Sequence, residues 1–469
     1  MIVAVSNERG RWRNRTTFVF ALSASAIGFG NLWRFSYLSG EYGGAPFIVT
    51  YLLCLFLIAM PVMVAEVVLG RAGGASPLMA IRQACDRSAI SRGWVLVGVL
   101  ACLTGLLMLS FYIVVAGWSM AYASFMNSGV FSAARAAEVG QHFEHFLADP
   151  AQQIYWQSLF LLCVLGTVVL GVRRGLGLLV WIAVPVMLVL LAFLIKFAFD
   201  NGDIDATRDF LFSIRWVDFS PQSVLVALGH ALFTLGVGVG TGISYGAYAP
   251  QRIPIARSLL AVAVIDTMIA LLAGLAIFPI VFANNIAPSA GPGLMFISLP
   301  YAFGNVMQGE MSGAIFFALV VLAALGSAVA IMEPIVAALT KFSRLERFTA
   351  ALIVAVTVWL LSVAVVMSFQ PGRELNWLGY QSLFGFLDAL TAKLLLPLVA
   401  LLIAVLAGWQ LRPEILRQAL DRESRLFFSL WRFLLRYIAP PVIALVLLLP
   451  FFVAVVVEDP GAVGLYEAD

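Results

Sequence analysis

The run Leu-Gly-Val-Gly-Val-Gly-Thr-Gly, from Leu235 to Gly242, lies in the middle of the apolar segment 223–248. Each glycine inside a helix costs about 1 kcal/mol relative to alanine, so this run argues against an ordinary continuous helix. The apolar segment 16–38 has a similar interruption, Ala-Ile-Gly-Phe-Gly-Asn, from Ala26 to Asn31. Close helix packing through small residues explains one such cluster. Two clusters predict two membrane helices that are broken near mid-bilayer.

The composition around these segments is that of an integral membrane protein. Of the 469 residues, 62% are hydrophobic and 11% are charged, which excludes a water-soluble globular fold. The net charge of +3 does not indicate a nucleic-acid partner. The four cysteines lie in apolar stretches or a predicted cytoplasmic loop, so they indicate neither disulfides nor a metal cluster.

The hydropathy pattern predicts eleven membrane crossings, because eleven apolar runs reach the roughly 17 to 25 residues that span a bilayer. They are 16–38, 44–69, 94–125, 156–172, 178–199, 223–248, 255–284, 312–340, 348–369, 383–410 and 433–457. The first run is preceded by arginines and has no A-x-A-like cleavage site, so it is predicted to be retained. Most arginines and lysines fall in alternate loops, which predicts a cytoplasmic N-terminus and an outer C-terminus.

No long linker divides the chain, so one transmembrane domain over 1–469 is expected. The two broken segments are five helices apart and therefore run in opposite directions. This predicts an all-α membrane protein made of two inverted five-helix repeats, 16–199 and 223–410, followed by an eleventh helix at 433–457.

Several motifs resemble the prokaryotic neurotransmitter:sodium symporters of the LeuT fold. They are Arg-x-x-Trp-x-x-Arg (Arg9 to Arg15), Gly-Phe-Gly-Asn-Leu-Trp-Arg-Phe (Gly28 to Phe35), Gly-Gly-Ala-Pro-Phe (Gly43 to Phe47) and Gly-Pro-Gly-Leu-x-Phe (Gly291 to Phe296). The resemblance covers about residues 9 to 457. It implies a sodium-coupled symporter of the bacterial inner membrane that imports an apolar or aromatic amino acid, or a related carboxylate-bearing solute, by alternating access.

The resemblance also implies two sodium sites. The first set is Ala26, Asn31, Thr234 and Asp266, and the second is the carbonyls of Ala24, Ile27 and Ala323 with the hydroxyl of Ser327. Asp266 replaces a frequent asparagine, and Ala270 carries no group at the position tied to chloride, so chloride is expected to be unnecessary. Gly326 replaces a usual hydroxyl or carboxylate, which leaves one or two sodium ions as alternatives.

The resemblance implies a substrate pocket between the broken helices. The backbone near Gly28 and Gly30, with the Tyr112 hydroxyl, is expected to hold a carboxylate, and glycine at position 28 favours a substrate that brings its own. The full predicted set is Ala24, Ser25, Ala26, Gly28, Gly30, Met108, Tyr112, Phe233, Thr234, Gly236, Val239, Ser327 and Ile331. For any single apolar member, plain core packing is the alternative.

Gates are expected on both sides of this pocket. On the outside, Arg34 and Asp388 match a charged pair, and His230 lies beside it as either a pH-sensitive or a neutral hydrogen-bonded residue. On the inside, Arg9 and Trp12 match the gate, while Lys341 occupies the usual acidic position. Glu333 or Glu66 is then a candidate partner for Arg9; the alternative is that both only brace their helices.

No catalytic constellation is present in the sequence, so an enzyme is not predicted. His142 and His145 could bind a metal in a loop, but a solvated loop is the simpler interpretation. The alternative function is a solute sensor that keeps the fold without sodium-driven turnover, motivated by Gly326 and Lys341. A channel is a weaker third alternative. The sequence does not specify the oligomeric state.

Overall fold

The computed structural model describes residues 12–74, 76–250, 253–284, 293–370, 380 and 382–453. Their helices, in chain order, are α1 (Arg15–Ala26), α2 (Phe35–Glu41), α3 (Ala45–Gly73), α4 (Pro77–Ser88), α5 (Arg92–Asn127), α6 (Ala136–Ala148), α7 (Pro150–Val169), α8 (Val172–Asn201), α9 (Ile204–Phe212), α10 (Pro221–Thr234), α11 (Thr241–Tyr248), α12 (Ile255–Ala283), α13 (Leu294–Gly304), α14 (Gly309–Ser343), α15 (Arg347–Met367), α16 (Leu383–Gln410), α17 (Pro413–Ala419) and α18 (Arg425–Leu448). Within the described residues, nine of these are long and apolar enough to cross a membrane. With the two interrupted spans, this is consistent with the eleven predicted crossings.

Both predicted interruptions are confirmed. Helix α1 ends at Ala26, Ile27 has extended backbone, and the chain resumes as a π-helical turn over Gly30–Arg34 that runs into α2. Helix α10 ends at Thr234, and α11 begins only at Thr241. Gly236, Gly238 and Gly240 between them have φ values of 64°, 93° and 76°, a region that residues with a Cβ rarely adopt.

Long helices surround the broken segments. Helix α1 packs against α8, α12 and α14, whereas α10 and α11 both pack against α3. The last carbonyls of α1 and the first amides of α11 have no partners within their own helices. Side chains of other helices partner two of the backbone groups at the interruptions: the Ser327 hydroxyl donates to the Ile27 carbonyl, and Glu66 accepts from the Gly238 amide.

The contact between α3 and α11 depends on small residues. A Cβ built on Gly70 would overlap the backbone carbonyl of Ile243, and one built on Gly246 would overlap the backbone of Val67. The backbones of the two helices therefore touch directly, as small residues permit in membrane proteins. This contact fixes the position of α11 beneath the interruption.

Gly70→Ala is expected to lower the unfolding midpoint of the detergent-solubilised protein, because the added methyl group has no room beside Ile243. Overpacking of this kind destabilises by about 1–3 kcal/mol. The matched control is Gly229→Ala in α10, where nothing lies within 4 Å of a built Cβ. Thermal unfolding followed by tryptophan fluorescence compares the two, and equal midpoints would contradict the proposed close contact.

Hydropathy did not reveal the short helices between the spans. Helices α6 and α9 are amphipathic and bury few side chains, such as Val139 and Leu211. His142, in α6, lies edge-on to the rings of Phe125 and Phe131. The described residues contain no group of three or more metal-ligating side chains.

Candidate functional site

A buried cluster around Asp266 joins four helical segments. The Asn31 amide Nδ2 donates to Asp266 Oδ1 at 2.7 Å, and the Thr234 hydroxyl lies 3.1 Å from both carboxylate oxygens. The Tyr51 hydroxyl donates to Asp266 Oδ2 at 3.3 Å. Asp266, Asn31 and Tyr51 are fully buried, so α12, α3 and the two broken spans meet around one carboxylate.

The hydrogen-bond donors that the structure records around Asp266 are all uncharged. A buried carboxylate is costly unless a cation or a proton compensates it. The Asp266 carboxylate, the Asn31 amide and the Thr234 hydroxyl lie in direct contact and offer only oxygen ligands, whereas the part of the Ala26 carbonyl in this set stays a prediction. Such a set suits a hard alkali cation rather than a transition metal.

The second predicted ion set is built differently. The Ser327 hydroxyl donates to the carbonyl of Ile27 at 3.0 Å. Gly326 lies so close to α1 that a built Cβ would stand 2.5 Å from the Ala24 carbonyl oxygen. Gly326, which stands where the resemblance implies a hydroxyl or carboxylate, therefore makes a close backbone contact instead, and Ser327 is the only side-chain oxygen in the predicted set.

A cavity of about 30 Å³ lies between the two broken spans, and eleven of the predicted substrate residues line it. They are Ser25, Ala26, Gly28, Gly30, Met108, Tyr112, Phe233, Gly236, Val239, Ser327 and Ile331. Ala24 and Thr234 do not line it, whereas Phe29 and Thr241, which were not predicted, do. A Cβ on Gly28 would lie 2.8 Å from both the Tyr112 and the Ser327 hydroxyl oxygens. Two hydroxyl groups thus face the same backbone position.

A second cavity of about 230 Å³ lies outside the first, and four residues line both: Phe29, Gly30, Tyr112 and Phe233. The inner cavity holds little more than a water molecule. An amino acid can therefore enter it only if the shared aromatic side chains move.

The residues that are predicted to form the outer gate line this second cavity. Arg34 and Asp388 both face it, and the Arg34 guanidinium lies 5.1 Å from the ring centroid of Phe233. Within the described residues no ion pair joins Arg34 to Asp388. His230 is buried between Phe35 and Tyr51, with ring centroids 5.6 and 5.5 Å away. His230 therefore lies behind the cavity wall.

The predicted inner gate is described only in part, because Arg9 lies outside the described residues. The Trp12 backbone amide donates to the Tyr248 carbonyl at 2.9 Å, and the indole packs edge-on against Tyr245 and Tyr248. These contacts tie the start of α1 to the end of α11, while Lys341 is exposed.

Glu333 and Glu66 have partners of their own. The Tyr248 hydroxyl donates to Glu333 at 2.7 Å, and Arg347 donates to both carboxylate oxygens of Glu333. Glu66 accepts a 2.7 Å hydrogen bond from the backbone amide of Gly238. Glu66 therefore braces the interruption between α10 and α11, and a contact of either glutamate with Arg9 stays a prediction.

Sequence reasoning missed three members of these networks: Tyr51, Tyr248 and Arg347. Tyr51 lies in a uniformly apolar stretch of α3, where a single tyrosine gives no signal of its own. An arginine at the first residue of α15 indicates only which side of the membrane it faces. Its proximity to Glu333 follows from the fold.

Two broken spans around a buried carboxylate and a small cavity are the features of a secondary transporter of the LeuT fold. The sequence matches the model of the sodium:neurotransmitter symporter family over residues 9–135 and 142–461. The chain belongs to this family, whose members are sodium-coupled transporters rather than enzymes.

Individual relatives agree with this assignment. An uncharacterized sodium-dependent transporter of Bacillus subtilis, YhdH, is 31% identical over 93% of this chain and 97% of its own. A Haemophilus influenzae sodium-dependent transporter is 27% identical over 95% of this chain and 99% of its own. The crystal structure of MhsT in complex with L-phenylalanine matches with a TM-score of 0.85 and 34% identity, over 94% of this chain and 99% of that one.

Proposed function

We propose that this protein imports an apolar or aromatic amino acid, or a related carboxylate-bearing solute, across the bacterial inner membrane together with sodium. The observation that carries the proposal is the buried Asp266 carboxylate, held by neutral donors close to the lining of the inner cavity. A cation there neutralises the negative charge of Asp266 and attracts the carboxylate of a substrate bound at Gly28. The phenylalanine bound to the related MhsT supports an amino acid as the substrate.

The side-chain part of the pocket favours apolar substrates. Met108, Phe233, Val239 and Ile331 contribute hydrocarbon or aromatic surface and no charge. The hydroxyl groups of Tyr112 and Ser327, by contrast, face Gly28. This polarity matches a molecule with one carboxylate end and one apolar end.

The first donor set is proposed to hold the coupling sodium ion without chloride, because Asp266 already supplies the negative charge. A second sodium ion would be held by three carbonyls and the Ser327 hydroxyl alone. The N-terminus is proposed to be cytoplasmic and the C-terminus external, in keeping with the arginine distribution.

Thermal shift measurements test this function directly, since a ligand that binds the folded state raises the unfolding midpoint. Apolar and aromatic amino acids are expected to raise the midpoint of the purified protein in sodium but not in potassium. Charged amino acids serve as the control series. Lack of response to every amino acid in sodium would contradict the substrate assignment.

The alternative is a solute sensor that binds but does not transport, favoured by the missing hydroxyl at Gly326. Proteoliposomes with an imposed sodium gradient separate the two functions. Accumulation of the amino acid supports the symporter, whereas binding without accumulation supports the sensor.

A further inference from the structure

A third cavity, of about 410 Å³, lies between the starts of α1 and α8, on the membrane face predicted to be cytoplasmic. It is lined by Trp12, Arg13, Thr17, Arg173, Leu178 and Trp181, among others. None of the ion or substrate positions described above line this cavity, whereas Trp12 of the predicted inner gate does.

The cavity holds two positive charges. Arg13 and Arg173 are both exposed, and neither forms an ion pair or hydrogen bond with the part of the chain that the structure describes. Guanidinium groups present several donors in a planar arrangement that suits phosphate oxygens. Two such groups at one cavity therefore favour an anion with several oxygen atoms.

The walls of the cavity are held in place by specific contacts. The Trp181 indole donates to the Thr17 hydroxyl at 3.0 Å, and this hydroxyl lies 2.9 Å from Asn14 Oδ1. The ring of Phe20 packs against Trp181 at 5.3 Å between centroids. The relative position of α1 and α8 is thus set by side-chain contacts at this point.

Trp12 belongs both to the wall of this cavity and to the predicted inner gate. Trp12 lines the cavity and is only 3% exposed, yet its indole Nε1 has no acceptor among the described residues. A buried N–H group without an acceptor is unfavourable. Nε1 is itself inaccessible from the cavity, so Trp12 contributes its ring to the cavity wall rather than a hydrogen-bond donor to a bound anion.

The other end of the cavity opens toward the lipid. Leu178 and Trp181 are 58% and 46% exposed on α8, a membrane-spanning helix. Tryptophan is enriched where hydrocarbon meets headgroups. We propose that this cavity binds an anionic phospholipid, with its phosphate between Arg13 and Arg173 and its glycerol and acyl carbons along Leu178 and Trp181.

The proposed lipid would bridge α1 and α8 next to Trp12. The Trp12 backbone amide is hydrogen-bonded to the Tyr248 carbonyl at the end of α11. The lipid would therefore restrain the movement of α1 away from α11. Bound anionic lipid is therefore expected to favour the state in which the inner side is closed.

Native mass spectrometry of the full-length protein tests this proposal with phosphatidylglycerol, phosphatidylcholine and glycerol phosphate as probes. Phosphatidylglycerol is expected to bind in preference to the other two. The double variant Arg13→Gln/Arg173→Gln is expected to bind phosphatidylglycerol at least roughly tenfold more weakly, because each arginine near an anionic headgroup adds favourable binding energy. Arg13→Lys/Arg173→Lys, which keeps both charges, is expected to retain most of the binding.

The matched control is Arg82→Gln/Arg344→Gln, which removes two exposed arginines from the same predicted face but outside the cavity. If Arg82→Gln/Arg344→Gln loses as much binding as Arg13→Gln/Arg173→Gln, the loss reflects net charge alone. That result would overturn the proposed lipid site. Glycerol phosphate binding as tightly as phosphatidylglycerol would overturn the assignment to a lipid.

Discussion

Asp266→Asn is expected to raise the sodium concentration needed for half-maximal substrate binding roughly tenfold or more in low-chloride buffer. The variant keeps the size of the side chain and an oxygen ligand, but it removes the one charge in the first donor set. A unit charge in direct contact with a cation contributes several kcal/mol even at an effective dielectric constant of about 20. The measurement is the sodium concentration that gives half-maximal amino-acid binding to the purified protein.

Glu423→Gln is the matched control for this variant. Glu423 is also a buried acid and also contacts α12, where it accepts a hydrogen bond from the Ala256 amide. It lies far from the cavity, so the same acid-to-amide change should leave the sodium dependence as it is in the parent protein. Unchanged sodium affinity in Asp266→Asn would refute the role given to the charge.

Tyr112→Phe is expected to reduce substrate affinity by roughly ten- to a hundredfold while leaving the aromatic ring in place. The hydroxyl of Tyr112 faces Gly28, where the substrate carboxylate is proposed to lie. A hydrogen bond to a charged group contributes about 1.5–3 kcal/mol, which corresponds to that range of affinity. Equilibrium binding of the radiolabelled amino acid at saturating sodium measures the change.

The same helix provides the control for Tyr112→Phe. Tyr122 lies ten residues further along α5 and is fully buried against Phe296 and Phe317. Tyr122→Phe should bind the amino acid like the parent protein. If Tyr112→Phe also keeps full affinity, the carboxylate is bound elsewhere and the orientation proposed for the substrate is wrong.

The interruptions could be predicted because their cause is local. Gly236, Gly238 and Gly240 take positive φ values, and a cluster of glycines in an apolar run is visible without any tertiary information. Most of the membrane-spanning helices follow from hydropathy for the same reason. The π-helical turn at Gly30–Arg34 was not predicted, because its residues also suit an ordinary helix.

The partners of the buried charges could not be predicted in the same way. Glu333 is paired with Arg347, which lies beyond a turn where Arg344 has a φ of 54°. The direction of that turn depends on how α14 and α15 pack, which a residue pattern does not show. His230 is similar: its surroundings are formed by Phe35 and Tyr51, which come from the other half of the chain.

The glycine-rich interruption also has a consequence for the energetics of transport. Gly236, Gly238 and Gly240 disfavour a continuous helix between α10 and α11 by about 1 kcal/mol each, and Glu66 further stabilises the interruption by accepting a hydrogen bond from the Gly238 amide. The interruption is therefore expected to persist when ions and solute leave, so that its backbone groups need no refolding before the next turnover. The free energy of the ion gradient would then be available to move α10 and α11 relative to each other about the interruption.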